Sequence, residues 1–201
     1  MLPAFVAGLM VGGGGALAGS SDAALVQNLA AESVAPAAAT ADNFSITVDL
    51  SDRMLYVMRG DETVREYRVA VGKPRHPTPR GSFRVQRLVW NPRWVPPDAE
   101  WAKDKKAREP GDPRNPMGRV KIFFRQPDYY IHGTRETDSL GAAESHGCIR
   151  MRNSEAIELA RMVMQNGGAS RSPGWFRRVI NRVRSTQEVH LSQPVPFRVR
   201  A

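Results

Sequence analysis

From Phe44 onward apolar residues recur near every second position. Ile46, Val48 and Leu50 form one run, Leu55 and Val57 the next, and Val64, Tyr67, Val69 and Val71 a third. Ser51-Asp52-Arg53 and Arg59-Gly60-Asp61, both of turn composition, separate them. A period of two with turn residues between runs predicts strands that pair as an antiparallel meander. Phe83 to Val89, Arg119 to Phe124 and Asp128 to His132 carry the same pattern and are expected to continue the sheet, with Val189 to Leu191 and Val195 to Val199 as terminal strands.

The period changes after residue 150. Ala156, Ile157, Ala160, Val163 and Met164 make a helical stripe, with Asn153 as the expected N-cap and Gly167 as the stop. A second amphipathic segment starts at Ser172-Pro173-Gly174, with Trp175, Phe176, Val179, Ile180 and Val183 apolar and Arg177, Arg178, Arg182 and Arg184 polar. Pro173 suits a first helical turn, and a surface helix covering the sheet is its favoured reading over contact with an anionic wall polymer or membrane. Thr78-Pro79-Arg80-Gly81 fits a type I turn, and a Pro-rich loop runs from Asn91 to about Pro116. A loop of that length is usually functional or disordered; Trp94 and Trp101 within it either pack it down or line a groove. The fold class is therefore mostly β with two helices.

Ahead of this lies a different composition. Residues 1–18 hold a short apolar stretch, the four-glycine run Gly12 to Gly15 and an Ala-x-Ala site without a basic start, an export signal in outline or an uncut anchor. Residues 19–43, rich in Ala and Ser, read as a flexible tether, leaving 44–201 as the folded domain. The 201-residue chain has 41% hydrophobic residues and a formal charge of +9. That charge attracts polyanions without selecting one, and neither a zinc-finger spacing nor an aromatic ribonucleoprotein motif accompanies it, so no specific nucleic-acid partner is expected.

Cys148 is the single cysteine, so no internal disulfide is available to it. It stands in Ser145-His146-Gly147-Cys148, with His132 upstream in Tyr130-Ile131-His132-Gly133-Thr134. Free thiols titrate at about 8.5, so a nucleophilic cysteine needs a base or a charge beside it, and His132 and His146 are the candidates. Lone cysteines are more often inert core, but serine, histidine and glycine neighbours are poor core choices. A zinc site from His132, His146 and Cys148 lacks a fourth ligand, so no metal is expected.

Together these segments resemble the L,D-transpeptidase catalytic domain family of bacterial cell-wall enzymes. His132 followed by Ser145-His146-Gly147-Cys148 matches the family motif, and Val71-Gly72-Lys73, Thr78 to Phe83, Asn91 to Pro97, Asn115 to Gly118 and Ile131 to Thr134 resemble family segments in family order. The resemblance implies a β-sandwich or closed β-domain with Cys148 at a strand end facing a cleft, no cofactor, and acyl transfer on a peptidoglycan tetrapeptide stem. Cys148 would attack the L,D bond, release D-alanine and pass the acyl group from a thioester to an amine of a second stem or of an envelope protein. Hydrolysis by the same site, as an L,D-carboxypeptidase, and a non-catalytic wall-binding module are the alternatives. His132 then takes the thiol proton, or holds the thiolate as an ion pair, with the Gly133 carbonyl orienting its ring in place of a triad acid, since nothing aims Glu136, Asp138 or Glu144 at it. Amides near Gly147 and Cys148 would hold the oxyanion, with Ser145 and His146 shaping the pocket. Arg150 would bind a stem carboxylate, unless it forms a surface ion pair, and Tyr130, Tyr129 and Trp94 would meet substrate. An exported, periplasmic or wall-space enzyme follows, touching membrane through its N-terminus only.

Overall fold

The computed structural model describes residues 43–201. The export signal, the membrane contact and nearly all of the tether expected from the sequence lie outside them. Three strands open the domain, β1 (Phe44–Asp49), β2 (Met54–Arg59) and β3 (Glu62–Arg68), followed by the short β4 (Val71–Gly72) and the long β5 (Gly81–Trp90). β6 (Val120–Arg125), β7 (Tyr129–Thr134), β8 (Ala143–Ser145) and β9 (Ile149–Arg152) lead to α1 (Asn153–Asn166), α2 (Pro173–Asn181) and the final strand β10 (Gln187–Arg200). The molecule is mostly β with two helices, as the alternation implied.

The sheet order is β3-β2-β1-β10-β5-β6-β7-β9, with β4 and β8 paired separately. A single meander is thus corrected to two, split by β10, which runs parallel to β1 and antiparallel to β5. The two expected terminal strands are one, with its register shifting between His190 and Val195. Pro194 lies in that interruption, where its missing N–H costs no ladder bond. The sheet's two edges meet: Ala70, just past β3, exchanges both backbone hydrogen bonds with Arg150 of β9 at 2.9 Å each. That bridge nearly closes the sheet around its core and fixes the end of β9 where Cys148 emerges.

Ile46, Val48, Leu55, Val57, Leu88, Ile122, Ile131, Ile149 and Met151 fill the interior, and α1 adds Ala156, Leu159, Ala160, Val163 and Met164. Asn153 is the first helical residue rather than the N-cap. The Glu155 carboxylate instead accepts the Arg152 N–H at 3.2 Å, while Asn153 Oδ1 accepts the Arg119 N–H at 3.1 Å. The Asn153 side chain is used to tie α1 to the chain entering β6, a partner too distant in sequence to be read locally.

The second helix covers the sheet. Ser172 caps it, accepting the Trp175 N–H at 3.2 Å, and Trp175 and Phe176 pack edge-on against Trp90. Its C-terminal carbonyls are satisfied from Asn91 at the start of the 91–116 loop and from Arg119 just past its end. Asn91 Nδ2 donates to Val179 O at 2.8 Å and Arg119 donates to Ile180 O at 2.6 Å. The loop itself is ordered by a Trp94–Arg108 bridge, by Asn115 donating to Pro92 O at 2.8 Å, and by burial of Trp94, Ala102, Asn115 and Met117.

Candidate active site

Strand parity separates the sheet into two faces. Ile131 and Ile149 point into the core, so Tyr130 and His132 of β7, and Cys148 and Arg150 at the start of β9, share the other face. Lys121 of β6 pairs with His132, and His132 pairs with Arg150, placing the three abreast. Cys148, preceding the Ile149–Ile131 pair, stands level with Tyr130.

The turn before β9 has its own internal bracing. Ser145, 1% exposed, donates through Oγ to Cys148 O at 2.5 Å and accepts the Gly147 N–H at 3.1 Å. The Gly147 carbonyl accepts from Thr78 Oγ1 at 2.9 Å, and the same hydroxyl accepts the Gly72 N–H at 2.9 Å. Gly147 has φ +103°, and a Cβ there would fall 2.9 Å from a Tyr129 ring carbon, so the turn needs glycine on both counts. The Gly147 N–H is already donated to Ser145 Oγ. Ser145 is buried and braces the turn from within.

His132 is 3% exposed, and its Nδ1 lies 2.9 Å from Gly133 O. A carbonyl only accepts, so Nδ1 carries the proton and Nε2 is left as the basic nitrogen. Burial holds the imidazole pKa down to about 3, against the pull of the Gly133 carbonyl, with the Arg150 and Lys121 charges adding to the depression. Cys148 is part-exposed, and its S–H donates to Asp128 O at 3.3 Å. Burial raises the thiol pKa, opposed by hydrogen bonds from Tyr130 and by the charges of Lys121 and Arg150. Both shifts favour the uncharged forms, a thiol and a free imidazole.

The remaining expected residues divide. Tyr130 is beside the thiol, and burial followed by the thiol's charge pushes its phenol pKa up. Arg150 pairs with Glu136 at 3.1 Å, the ion-pair alternative, and keeps 21% of its side chain exposed. Trp94, 7% exposed, packs within the loop. His146 is half-buried, with its Nε2 buried and without a hydrogen-bond partner, and its ring stacks on Trp101 of the long loop. Asp138 and Glu144 are exposed and pair with nothing at the site. Lys121, Thr78 and Asp128 were not foreseen. Lys121 alternates with Ile122 like any outward-facing strand lysine, so only the position of β6 beside β7 reveals it.

The L,D-transpeptidase catalytic domain family model, YkuD, matches residues 43–181. The chain belongs to that family. It is 33% identical over 130 residues to a putative L,D-transpeptidase YkuD of Bacillus licheniformis, covering 65% of this chain and 66% of that protein. It is 36% identical over 118 residues to a probable L,D-transpeptidase ErfK/SrfK of Salmonella typhimurium, covering 55% of this chain and 38% of that protein. The match thus spans about two thirds of the first relative's length and well under half of the second's. In fold it is similar to an L,D-transpeptidase from Mycobacterium smegmatis, with a TM-score of 0.50 at 18% identity over 79% of this chain and 59% of that one.

Proposed function

We propose that this member of the L,D-transpeptidase family uses Cys148 as nucleophile and His132 as general base in acyl transfer on peptidoglycan tetrapeptide stems. The observation that carries this reading is the His132 Nδ1 contact with Gly133 O, which leaves Nε2 basic on the sheet face that holds Cys148. A backbone carbonyl thus does what a carboxylate does in a serine-protease triad, fixing tautomer and ring orientation.

The reaction runs from the neutral pair. As Cys148 Sγ attacks the carbonyl of the L,D bond, the S–H bond breaks and its proton passes to His132 Nε2. The negative charge moves to the carbonyl oxygen, where the Cys148 N–H is the amide left to receive it. Collapse expels the amine of D-alanine, which takes the proton back from His132, and a thioester remains. His132 then accepts a proton from the acceptor amine as that nitrogen attacks, and returns it to the sulfur on release. Starting neutral has a consequence: no imidazolium has to persist in a buried site between two cations.

Arg150, part-exposed beside Glu136, is the stem-carboxylate contact in this reading, exchanging one carboxylate for another. An acceptor amine on a second stem gives a cross-link; one on an envelope protein gives a tether. The enzyme is exported to the wall space by the segment at residues 1–18, and a carbapenem acylates Cys148 as the stem does. Incubation of the protein with purified tetrapeptide fragments should release D-alanine and give an acyl-enzyme by intact mass. Cys148→Ala should lose both, and His132→Gln should lose nearly all turnover. Full activity in either variant would sink the mechanism, and the N-terminus of the protein recovered from cells reports the export.

A further inference from the structure

Of the two cations whose charges act on Cys148, Lys121 and Arg150, Lys121 is the one without a counter-ion among the described residues. Arg150, at the other end of its row, pairs with Glu136, and Arg87 of β5, which lies over the Phe123 ring, pairs with Glu188. Lys121 takes part in no ion pair among the described residues. Its side chain does not extend straight across to His132. Nζ sits 4.4 Å over the Tyr130 ring, the residue level with Cys148. A part-buried ammonium held on an aromatic face next to a thiol, with no carboxylate to meet it, is arranged for an anion that forms only transiently.

We propose that Lys121 is the counter-ion of the Cys148 thiolate, a positioning residue that acts across the Tyr130 ring. The proposal rests on Cys148 as nucleophile, not on which acyl acceptor is used. The groups facing the sulfur are Lys121 from β6, Tyr130 and His132 from β7, Asp128 through its carbonyl from the turn before β7, and Arg150 with Glu136 from β9 and the loop after β7. Arg87 from β5 faces Lys121 itself. Of the two acids, Glu136 is held by Arg150, and Asp128 offers the sulfur an acceptor, which stabilises thiol rather than thiolate. Arg150 is therefore partly neutralised, and Lys121 is the full positive charge left. When the S–H proton moves to His132, Lys121 opposes the imidazolium and favours the sulfur anion. Burial lowers the Lys121 pKa, opposed by the charge of Cys148, and Lys121 gives up no proton in the step, so its proton count is unchanged.

Alkylation of Cys148 by iodoacetamide, followed by intact mass in the full-length protein from pH 6 to 10, tests this without any turnover assay. Lys121→Met should slow alkylation at pH 8 by roughly three- to tenfold and move the midpoint of the rate profile upward by about half to one pH unit, since one unit is tenfold in thiolate. Lys121→Arg, which keeps the charge, should stay near the wild-type profile. An unchanged midpoint in Lys121→Met, or Lys121→Arg as slow as Lys121→Met, would overturn the proposal. Far-ultraviolet circular dichroism establishes that the variants fold, and Lys121→Gln is read in the same way if Lys121→Met does not. Loss of D-alanine release with these shifts intact would count against the acyl-transfer reading alone.

Discussion

Trp101 lies flat on His146, ring centroids 3.9 Å apart and planes 15° from parallel. The contact joins the long loop to the turn that presents Cys148, and His76 approaches the same imidazole at 5.0 Å. Burial holds the His146 pKa down, with Lys73, His76, Arg150 and Lys105 adding repulsion. Replacing Trp101 by Ala uncovers the ring, so the His146 pKa should rise toward its ordinary value of about 6.5. Amide exchange should quicken around residues 99–106. A nuclear magnetic resonance titration that finds the His146 pKa unmoved would show that the stacking is not what desolvates it.

A second prediction concerns acid. His132 titrates near 3 when folded and near the ordinary 6.5 when unfolded. Below pH 6.5 the unfolded chain therefore binds a proton that the folded one refuses, and stability falls with pH until about 3. The slope contributed by this one residue approaches about 1.4 kcal/mol per pH unit within that window. Urea unfolding of the wild type and His132→Asn at pH 7, 6, 5 and 4 should show the gap between them narrow or reverse as pH drops. Parallel loss in both would place the acid sensitivity elsewhere, on carboxylates such as Asp49 and Glu188, whose pKa values are lowered by hydrogen bonds from Ser51 and Arg87 respectively.

The pairing of Gly133 with Asn153 gives a third. A Cβ on Gly133 would lie 2.1 Å from Asn153 Oδ1, and the same atom closes off Gly118 at 2.1 Å. Gly133→Ala should cost about 2–3 kcal/mol by overpacking, since Asn153 cannot retreat without losing the Arg119 N–H. Adding Asn153→Ala removes the clashing oxygen. The double variant should then be less destabilised than the sum of the two singles, measured by chemical denaturation. Strict additivity would mean that the backbone rather than the side chain resists the methyl.

How far the chain discloses this arrangement depends on the range of each interaction. Alternation exposed β1, β2 and β5 to β7 because a strand's faces are set residue by residue, and the histidine and cysteine motifs are local enough to read directly. Pairing partners are not local: nothing near Val195 to Val199 says that β10 enters between β1 and β5. Lys121 reads as an outward lysine because its strand cannot report that the outward face is the site. Trp94 and Trp101 sit seven residues apart in one loop. One is buried packing and the other a cover for His146, a division decided by the Trp94–Arg108 bridge.

Asn91 supports a fourth prediction. Its backbone is left-handed at φ +48°, and its side-chain amide donates to the carbonyls of Val179 and Ser185 at 2.8 and 3.1 Å while accepting from Arg119 at 2.9 Å. Asn91→Ala leaves these buried groups unpaired and strains the turn, so a loss of about 2–4 kcal/mol is expected. Asn91→Gly retains the backbone conformation and separates the two causes. If Asn91→Gly unfolds at the same denaturant concentration as Asn91→Ala, the lost hydrogen bonds account for the whole effect.

Thr78 offers a way to loosen the nucleophile turn without touching the nucleophile. Its hydroxyl has a single proton, donated to Gly147 O, and its lone pair takes the Gly72 N–H, so one side chain couples β4 to the segment carrying Cys148. Thr78→Val keeps the shape and removes both bonds. It leaves a buried donor and a buried acceptor unmatched, at about 1–3 kcal/mol. Thr78→Ser keeps the hydroxyl and should restore most of that loss. The turn's second brace, Ser145 between Gly147 and Cys148, persists in the Val variant, so the Cys148 thiol should remain in place but fluctuate more. Iodoacetamide should then react faster at saturating pH, where thiolate supply no longer limits, with the midpoint of its pH profile unchanged. A moved midpoint would instead show that Thr78 sets the electrostatics of the sulfur and not only its mobility.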